Sequence, residues 1–420
     1  MIKLNRLATL TLIFLLPMNL WGMNWQTYGL YKTSYVDYRN TLFNPDNLAV
    51  NQLGLVNWDS HFSQYLNLQA KIFSVDWRLD VMGTATHTKD WDANGRIKQF
   101  YVQKDLFENL GLMAGRILLN WGTGYAFNPA NVVAPQKELS DPDNTERRLA
   151  GNDLAKLEYF GESYSFALVY LTNLDVHPKI NASDHRLAIR LYENLWNIDL
   201  SLIGLAHQHR RPIFGGNFAY VIGERLEIHG EFAAQKGSYL PYHRAILDEN
   251  TLYFENPLQF LKDNERRSFK QYLLGINYTL PKNIGWILEY YHQDQGYSRR
   301  EWQRVIDQVK FASSYLNTPL AELAQGNVLW SLNIFSSRGA MRDYLMNYVN
   351  IPVARNLELK STSLINLADG SLVSIPEIDL MIKNHFTFYG RSFIFKGNKN
   401  SEFGGLFRSF AIEGGIRLVL

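Results

Sequence analysis

Residues 409–420, SFAIEGGIRLVL, alternate apolar side chains with small or charged ones. Successive side chains of a β-strand point to opposite faces, so one face of this segment is apolar and the other carries Glu413 and Arg417. The pattern predicts an amphipathic strand at the end of the chain. If that strand closes a cylinder in lipid, every other segment is an antiparallel strand of the same cylinder, because hydrocarbon offers an open sheet edge no hydrogen-bond partner.

The composition fits a membrane barrel. The chain has 420 residues, of which 14% are aromatic, and Tyr and Trp prefer the membrane–water interface. A mean hydropathy of −0.22 excludes a helical membrane protein but not a barrel, whose inward residues are polar. A net charge of +2 without charge runs gives no sign of a nucleic-acid partner. The absence of Cys excludes a disulfide scaffold, a thiolate metal site and a lipoprotein anchor.

The first 22 residues have the pattern of a signal peptide. Lys3 and Arg6 form a charged start, residues 7–16 are apolar, and Gly22 is the small residue at the expected cleavage site. Beyond it, no apolar run is long enough for a membrane helix. We therefore expect a leader at 1–22, secretion across the inner membrane, and a barrel over 23–420.

Alternating patterns and turn residues predict an antiparallel up-and-down β-barrel of about 18 strands, with 16 as the alternative count. The number must be even if both termini lie on the periplasmic side. The predicted strands are residues 25–36, one strand within 53–72, 75–86, 97–104, 110–121, 154–160, 164–171, 186–192, 196–206, 214–222, 226–234, 272–280, 286–290, 329–335, 344–351, 357–367, 372–388 and 409–420.

The connections between these strands alternate in length. Short turns at Gly161, Asn194, Gly223 and Lys282 are separated by much longer segments. Outer-membrane barrels combine short periplasmic turns with long external loops, and independent sandwich hairpins have no reason to keep that phase. We expect extracellular loops at 235–268 and 294–327, with helical spacing of apolar residues inside 299–324 and 255–269.

One string of residues carries a family resemblance. Gly115-Arg116, Trp121-Gly122-Thr123-Gly124, Phe127-Asn128-Pro129 and Pro135 resemble the Gly-Arg…Trp-Gly-x-Gly…Pro segment of porin-like bacterial outer-membrane β-barrels. The final strand resembles the segment that the barrel assembly machinery recognises in such proteins, although it ends on Leu420 rather than Phe or Trp. The resemblance implies a channel in the Gram-negative outer membrane, with membrane lipid and the assembly machinery as partners, and no catalysis.

The polar strand faces predict which residues line the pore. Arg116 and Asn120 share one face, so Ile117, Leu119 and Trp121 are expected to face lipid. The predicted lining residues are Arg116, Asn120, Lys156, Glu158, Arg186, Arg190, Glu227, Glu231, Glu289, Glu413 and Arg417. Fixed charges of this kind set ion preference in a pore. The alternative is that they pair across neighbouring strands and stiffen the wall.

Residues 123–152 form a segment long enough to fold back into the lumen as a constriction loop. Gly122 and Gly124 permit unusual backbone angles at its start, and Pro129 and Pro135 prevent strand pairing. The charged residues expected at the constriction are Glu138, Asp141, Asp143, Glu146, Arg147 and Arg148.

Two further patterns resemble parts of metal sites. Residues 90–95, DWDANG, match the start of a calcium loop, but Tyr101 stands where the closing Glu belongs, and Asn94-Gly95 alone makes a good tight turn. His207 and His209 share a face if extended, but no carboxylate is close in sequence. We expect no metal and no cofactor. The sequence contains no Gly-x-Ser-x-Gly, phosphate-loop or His-Glu-x-x-His motif.

These patterns together indicate a porin-like channel for passive diffusion of small hydrophilic solutes or of one substrate class, and not an enzyme. A non-conducting barrel for surface adhesion, polymer export or envelope assembly is the first alternative. An outer-membrane enzyme that modifies lipids is the second, because it needs only a few side chains on the outer wall. The sequence leaves the oligomeric state open.

Overall fold

The computed structural model describes residues 24–419 except 136, 140, 144–145, 174–184, 209–210, 239, 247–256, 261–266, 337–338 and 384. The expected signal peptide at 1–22 and the terminal Leu420 lie outside the described residues.

The described part of the chain is built mainly of β-strands. Eighteen of them form one closed sheet, and two short ones, β12 and β13, pair with each other. The strands are β1 (Asn24–Tyr38), β2 (Trp58–Ile72), β3 (Val75–His87), β4 (Trp91–Phe107), β5 (Leu110–Ile117), β6 (Asn152–Phe160), β7 (Tyr164–Asn173), β8 (Arg186–Leu195), β9 (Ile198–His207), β10 (Ile213–Ile222), β11 (Leu226–Lys236), β12 (Pro241–His243), β13 (Leu258–Phe260), β14 (Ser268–Leu280), β15 (Ile284–Gln293), β16 (Asp343–Ala354), β17 (Leu357–Asn366), β18 (Leu372–Ile382), β19 (Phe386–Lys396) and β20 (Arg408–Val419).

The first and last strands close the barrel. β20 pairs antiparallel with both β19 and β1, with Gly415 opposite Lys32 and Tyr389 in the two registers. Every other barrel strand pairs with its sequence neighbours, except that β11 pairs with β14 across the β12–β13 hairpin. The closed cylinder leaves no strand edge open, as a hydrocarbon environment requires. The predicted fold class and the closing role of residues 409–420 are confirmed.

The ends of the barrel differ as the sequence predicts. At one end every connection has two or three residues: 73–74, 108–109, 161–163, 196–197, 223–225, 281–283, 355–356 and 383–385. At the other end lie the long connections, including 118–151, 237–267 and 294–342. This asymmetry is the habit of outer-membrane barrels, whose long loops face the exterior.

The predicted count of 18 strands is right, but two errors cancel within it. Residues 329–335, predicted as a strand, belong to a helix and to the 3₁₀ segment Leu332–Ser336. Residues 372–388, predicted as one strand, form β18 and β19 with a turn at 383–385, where Lys383 has a φ of 52°. A short apolar run does not distinguish a buried helix from a strand, and this turn contains neither Gly nor Pro.

Four helices lie among the described residues: α1 (Leu48–Gln52), α2 (Arg299–Ser313), α3 (Ala321–Ser331) and α4 (Glu402–Gly405). α2 begins at a capping box, in which the Ser298 hydroxyl accepts from the Glu301 N–H and the Glu301 carboxylate accepts from the Ser298 N–H. None of these helices combines the length and the apolar composition needed to cross a membrane. The helix predicted within 299–324 is confirmed. The helical expectation for 255–269 is wrong in its described part, where β13 and the start of β14 are extended.

The outer and inner faces of the sheet differ in polarity and exposure. On β8, Leu187 and Ile189 are 45% and 42% exposed, whereas Arg186 and Ala188, which alternate with them, are buried. The buried side chains meet the segments that fill the barrel. The exposed apolar side chains form the surface that suits lipid.

Candidate functional site: the barrel interior

The connection between β5 and β6, residues 118–151, lies inside the cylinder, and we call it the inner loop. Its atoms bond to Lys32 on β1, Glu231 on β11, Glu289 on β15 and Arg391 on β19. These strands are far apart around the ring, and a segment outside the barrel cannot reach side chains that point inward from all of them. The inner loop therefore crosses the interior.

Glu231 anchors the first part of the inner loop. Its carboxylate accepts the backbone N–H groups of Thr123, Gly124 and Ala130 at 2.6, 2.8 and 2.9 Å. The residue is only 4% exposed. Buried backbone N–H groups need acceptors, and a loop has no sheet ladder to supply them. The wall carboxylate takes that role.

Glu289 forms a second carboxylate anchor beside the first. Its two oxygens accept the N–H groups of Tyr125 and Ala126 at 2.5 and 3.0 Å, and His229 Nε2 lies 3.0 Å away. Glu227 contacts the other side of the His229 ring at 3.3 Å. Glu231 and Glu289 point inward, but the inner loop covers both. Neither lines open space, which corrects their assignment as pore-lining residues.

Glu146 anchors the far end of the inner loop through cations. Its carboxylate lies 2.5 Å from both Arg391 and Arg148 and 3.2 Å from Lys32. Arg391 and Lys32 also bind Glu413, at 2.6 and 2.8 Å. Burial alone raises the pKa of Glu146, but the three neighbouring cations outweigh it and hold that pKa at about 2. The anchor stays charged through the ordinary pH range.

Three other acidic residues of the inner loop also have partners. Glu138 binds Arg148 at 2.7 Å, and the Asp141 carboxylate accepts the Glu146 N–H at 2.9 Å. Asp143 accepts the Tyr125 hydroxyl at 3.2 Å.

Arg147 has a positive φ of 53° and places its guanidinium 4.7 Å from the Tyr65 ring and 5.5 Å from the Tyr28 ring, a cation–π contact with the inner wall. The loop cations therefore contribute to its attachment as well as to the charge of the interior.

The remaining predicted lining residues on the inner face form local pairs. Arg417 binds Asp379 and Glu377 at 3.0 and 3.1 Å. Lys156 binds Glu158 on its own strand at 2.5 Å. Arg190 Nε donates to the Ser201 hydroxyl at 3.1 Å, and Arg186 is buried on the same face. Glu158, Glu413 and Arg417 thus all take part in the pairing that the sequence offered as the alternative to a free charged lining.

Arg116 faces outward, contrary to the prediction. It forms a bidentate pair with Asp153, with both N–O distances at 2.8 Å, and it stands opposite the exposed Phe100 in the sheet register. Asn120 is not on a strand, because β5 ends at Ile117; it is exposed and accepts from the Asn131 amide at 2.7 Å. Arg116 therefore does not line the pore.

Ile117 and Trp121, predicted to face lipid, are buried inside. They pack with Ala130 and Val133 of the inner loop and with the inner wall. Gly115 adopts a φ of 132°, and a Cβ there would lie 2.2 Å from the Phe100 carbonyl oxygen. The charge of Arg116 therefore predicts the wrong face of β5, because the salt bridge with Asp153 neutralises that charge on the outer wall.

The calcium-loop pattern is not a loop in the structure. Asn94 and Gly95 lie within β4, opposite Thr84 and Gly83 of β3. Extended backbone does not wrap a cation. Within the described residues, no group of three or more His, Asp or Glu side chains is placed to hold a metal ion. His207 ends β9, and His209 lies outside the described residues.

A cavity of about 630 Å³ opens below the inner loop, toward the end with the short turns. Its charged lining residues are the basic Arg78, Lys98, Arg147, Arg355, Lys360 and Arg417 and the acidic Asp143, Glu358 and Asp379. Basic side chains therefore outnumber acidic ones by six to three. Three of these nine residues, Asp143, Arg147 and Arg417, are among those predicted from the sequence. Glu358 and Lys360 alternate with Leu357 and Leu359 on β17, and this pattern is a signal that could have identified two more.

The fold and this interior define a class: a closed 18-stranded membrane-type barrel with a loop folded into its lumen. No family model and no curated protein sequence matches the chain. Solved structures do. *Pseudomonas aeruginosa* OccK5 (OpdH) matches with a TM-score of 0.55 at 11% identity over 95% of this chain and 98% of that chain.

Two further solved structures resemble the chain in the same way. *Acinetobacter baumannii* OccAB1 gives a TM-score of 0.55 at 9% identity over 94% of this chain and 96% of its own. The outer membrane protein OprD from *Pseudomonas aeruginosa* gives 0.52 at 10% identity over 96% and 95%. At these identities the likeness establishes the shared fold over nearly the whole chain.

Proposed function

We propose that the protein is a porin-like channel of a bacterial outer membrane, through which small hydrophilic solutes diffuse passively. The observation that carries the proposal is the cavity of about 630 Å³ within a closed barrel whose outer face is apolar. A polar cavity inside a lipid-facing cylinder offers a solute a path that the bilayer denies it. The similarity in fold to the outer membrane protein OprD supports the proposal that this barrel lies in an outer membrane.

The inner loop narrows this path in the proposed mechanism. It is held by Glu231 and Glu289 on one side and by Lys32 and Arg391 on the other. A loop fixed at both ends gives an aperture of constant size, which selects solutes by size and charge without nucleotide hydrolysis. We further propose that residues 1–22 direct export and that the assembly machinery recognises β20.

The cavity lining favours anions over cations. Arg147 lies over two tyrosine rings, and Arg355 is exposed at the cavity wall. Neither has a carboxylate partner among the described residues. Fixed positive charge in a narrow, water-filled path attracts anions. The class of solute is therefore expected to be small and hydrophilic, with anions entering more readily.

Planar-bilayer recording tests the proposal. The folded protein should give discrete, ohmic current steps, and a potassium chloride gradient should give a reversal potential on the anion-selective side. Replacing Arg147 with Glu should shift that potential toward cation preference. Arg116→Glu is the matched control, because Arg116 is on the outer wall and should leave the potential unchanged. Absence of current steps from correctly folded protein would refute the channel.

The extracellular end gives a specific reason to keep a non-conducting barrel as the second candidate. Phe127 of the inner loop stacks on Tyr291 of the wall with ring centroids 4.2 Å apart. Both belong to an apolar core that includes Phe43, Trp302 and Val305 from the external connections. A core of this kind resists displacement by water. Silent bilayers together with a folded barrel would favour this reading.

A further inference from the structure

A groove of about 1050 Å³ runs across the outer face of β9, β10, β11 and β14. Gly216 provides no side chain at its floor, and the Phe218 ring covers Gly230 beside it. Its walls are Leu202, Phe214 and Phe232, which are 68%, 63% and 45% exposed. The register places Gly216 opposite Leu202 and Phe232, so all three belong to the outer face. The groove is therefore open to the membrane.

Two lysines stand at the outer end of this groove. Lys236 on β11 is opposite Ser268 on β14, and Lys270 on β14 is opposite Ala234. They are diagonal neighbours on one face of two adjacent strands, with Cα atoms about 7–8 Å apart. Both are exposed, and neither ammonium group forms an ion pair with any described residue. The pair is a concentrated positive charge at a single edge of the apolar groove.

Asp294, an acidic residue bonded to the backbone of Lys270, already has partners for its carboxylate. The Asp294 carboxylate accepts the backbone N–H of Lys270 at 3.0 Å and lies 3.1 Å from His292 Nε2. The other ring nitrogen of His292 is 2.7 Å from Asp343. His292 thus holds both carboxylates, which leaves the lysine side chains for an external partner.

The lysines also have the right height for a lipid headgroup. β11 ends at Lys236 and β14 begins at Ser268, both at the end that carries the long connections. Tyr272, one position further into the membrane on the same face as Lys270, is the kind of residue that marks the interface. Phe232 lies four residues before Lys236, roughly 13 Å deeper along the strand. An acyl chain in the groove would place its headgroup beside the lysines.

We propose that this groove binds a phosphorylated lipid of the surrounding outer leaflet, with an acyl chain over Gly216 and the Phe218 ring and the phosphate between Lys236 and Lys270. Charge complementarity selects this occupant. A second copy of the chain meeting the groove across a two-fold axis presents the same two lysines, so like charges would face each other. A lipid phosphate instead meets two cations that have no ion-pair partner among the described residues.

Native mass spectrometry of the detergent-released protein tests the headgroup contact. The probes are phosphatidylglycerol, whose phosphate charge is uncompensated, and phosphatidylcholine, whose charge is balanced. Wild type should retain phosphatidylglycerol preferentially. A lysine near an anionic lipid surface contributes roughly fivefold in affinity, so Lys236→Ala with Lys270→Ala should lose roughly 25-fold. Lys396→Ala is the matched control, because Lys396 is an exposed lysine at the outer end of β19.

Photo-crosslinking tests the acyl-chain contact independently. A phosphatidylglycerol with a diazirine on its acyl chain should label residues 198–236 above the rest of the wall, and Leu202→Trp, which narrows the groove, should reduce that labelling. Heat-modifiable mobility on gels establishes that each variant is folded. Uniform labelling, equal retention of the two lipids, equal loss in the Lys396 control, or a dimer in place of a lipid adduct would each overturn the proposal. Current steps in bilayers do not enter this test, so it stands apart from the channel hypothesis.

Discussion

Replacing Glu231 with Gln should release the first half of the inner loop while leaving the barrel closed. The carboxylate accepts three backbone N–H groups, from Thr123, Gly124 and Ala130, within 2.9 Å. A glutamine retains one neutral acceptor and turns an NH₂ group toward donors that it cannot satisfy. The barrel ladder does not depend on this side chain, so the effect is confined to the loop.

The magnitude follows from the bonds that the substitution removes. One carboxylate oxygen accepts from Thr123 and Gly124 and the other from Ala130, so a glutamine oxygen can keep the first two bonds and loses the third. Loss of a hydrogen bond to a charged group costs about 1.5–3 kcal/mol, and the two retained bonds weaken because their acceptor becomes neutral. We therefore expect about 3 kcal/mol in total. That corresponds to an increase in loop opening of roughly 100-fold, since about 1.4 kcal/mol is a factor of ten.

Two measurements follow this opening. Hydrogen exchange at the amides of Thr123, Gly124 and Ala130 should accelerate roughly 100-fold. Single-channel current should become larger and noisier, because the aperture is no longer fixed. Glu158→Gln is the matched control: Glu158 is another carboxylate on the inner face, but its ion-pair partner is Lys156 on its own strand. Unchanged exchange in a folded Glu231→Gln protein would show that the carboxylate does not hold the loop.

Four further predictions concern three charged groups in other parts of the molecule. Glu146→Gln should cost about 3–5 kcal/mol in loop stability, because it leaves Arg391 buried without one partner, and hydrogen exchange at 141–148 would register it. Because the pKa of Glu146 is lowered to about 2, its ion pairs in the wild type should persist at pH 4 and be lost only as the pH falls through about 2. Opening of the wild-type inner loop at pH 4 would contradict this expectation. Arg116→Ala should cost at most about 1 kcal/mol in thermal unfolding and leave the reversal potential unchanged; a shifted potential would contradict its outward placement. Burial raises the pKa of Glu402 in α4 to about 7, so the folded state keeps a proton that the unfolded state releases above about pH 4.5. The stability of α4 should therefore fall as the pH rises from about 4.5 to 7. Hydrogen exchange at residues 401–405 should show this pH dependence in the wild type and lose it in Glu402→Gln.

The barrel was predictable because its environment imposes a simple rule on each strand. Where outward residues meet lipid and inward residues meet polar groups, as at Leu187 and Arg186 of β8, alternation identifies both strand and face. The terminal strand was predictable for the same reason, with Glu413 and Arg417 both buried on its inner face. Closure then follows from the hydrogen-bonding needs of the backbone in hydrocarbon.

The rule fails where the environment is not lipid on one side and lumen on the other. Residues 329–335 pack in the apolar core of the external connections, so their hydrophobicity reports burial and not a strand. Ile117 and Trp121 are apolar because the inner loop covers them. In both cases the contacting partner is distant in sequence, and no local pattern identifies it.

The role of Glu231 was hidden for a related reason. Its partners Thr123 and Gly124 precede it by 108 and 107 residues, and alternation on β11 shows only that it points inward. A carboxylate that faces water and one that holds a loop backbone give the same pattern. Only the path of the inner loop distinguishes them.

This distinction decides the charge of the passage. Three of the acids predicted to line it, Glu231, Glu289 and Glu413, are at most 6% exposed because they bind the inner loop or its cations. Their negative charge is neutralised or covered where they lie, and it does not reach the open cavity. The field in the cavity is set instead by lining side chains such as Arg147 and Arg355, which have no carboxylate partner among the described residues. The lining residues predicted from the strands comprise five basic and five acidic side chains, whereas six basic and three acidic side chains line the cavity that the folded loop leaves open. Ion preference in this barrel therefore follows from the placement of the inner loop. A reversal potential that shows cation selectivity would contradict that placement of the loop, and not only the assignment of a single residue.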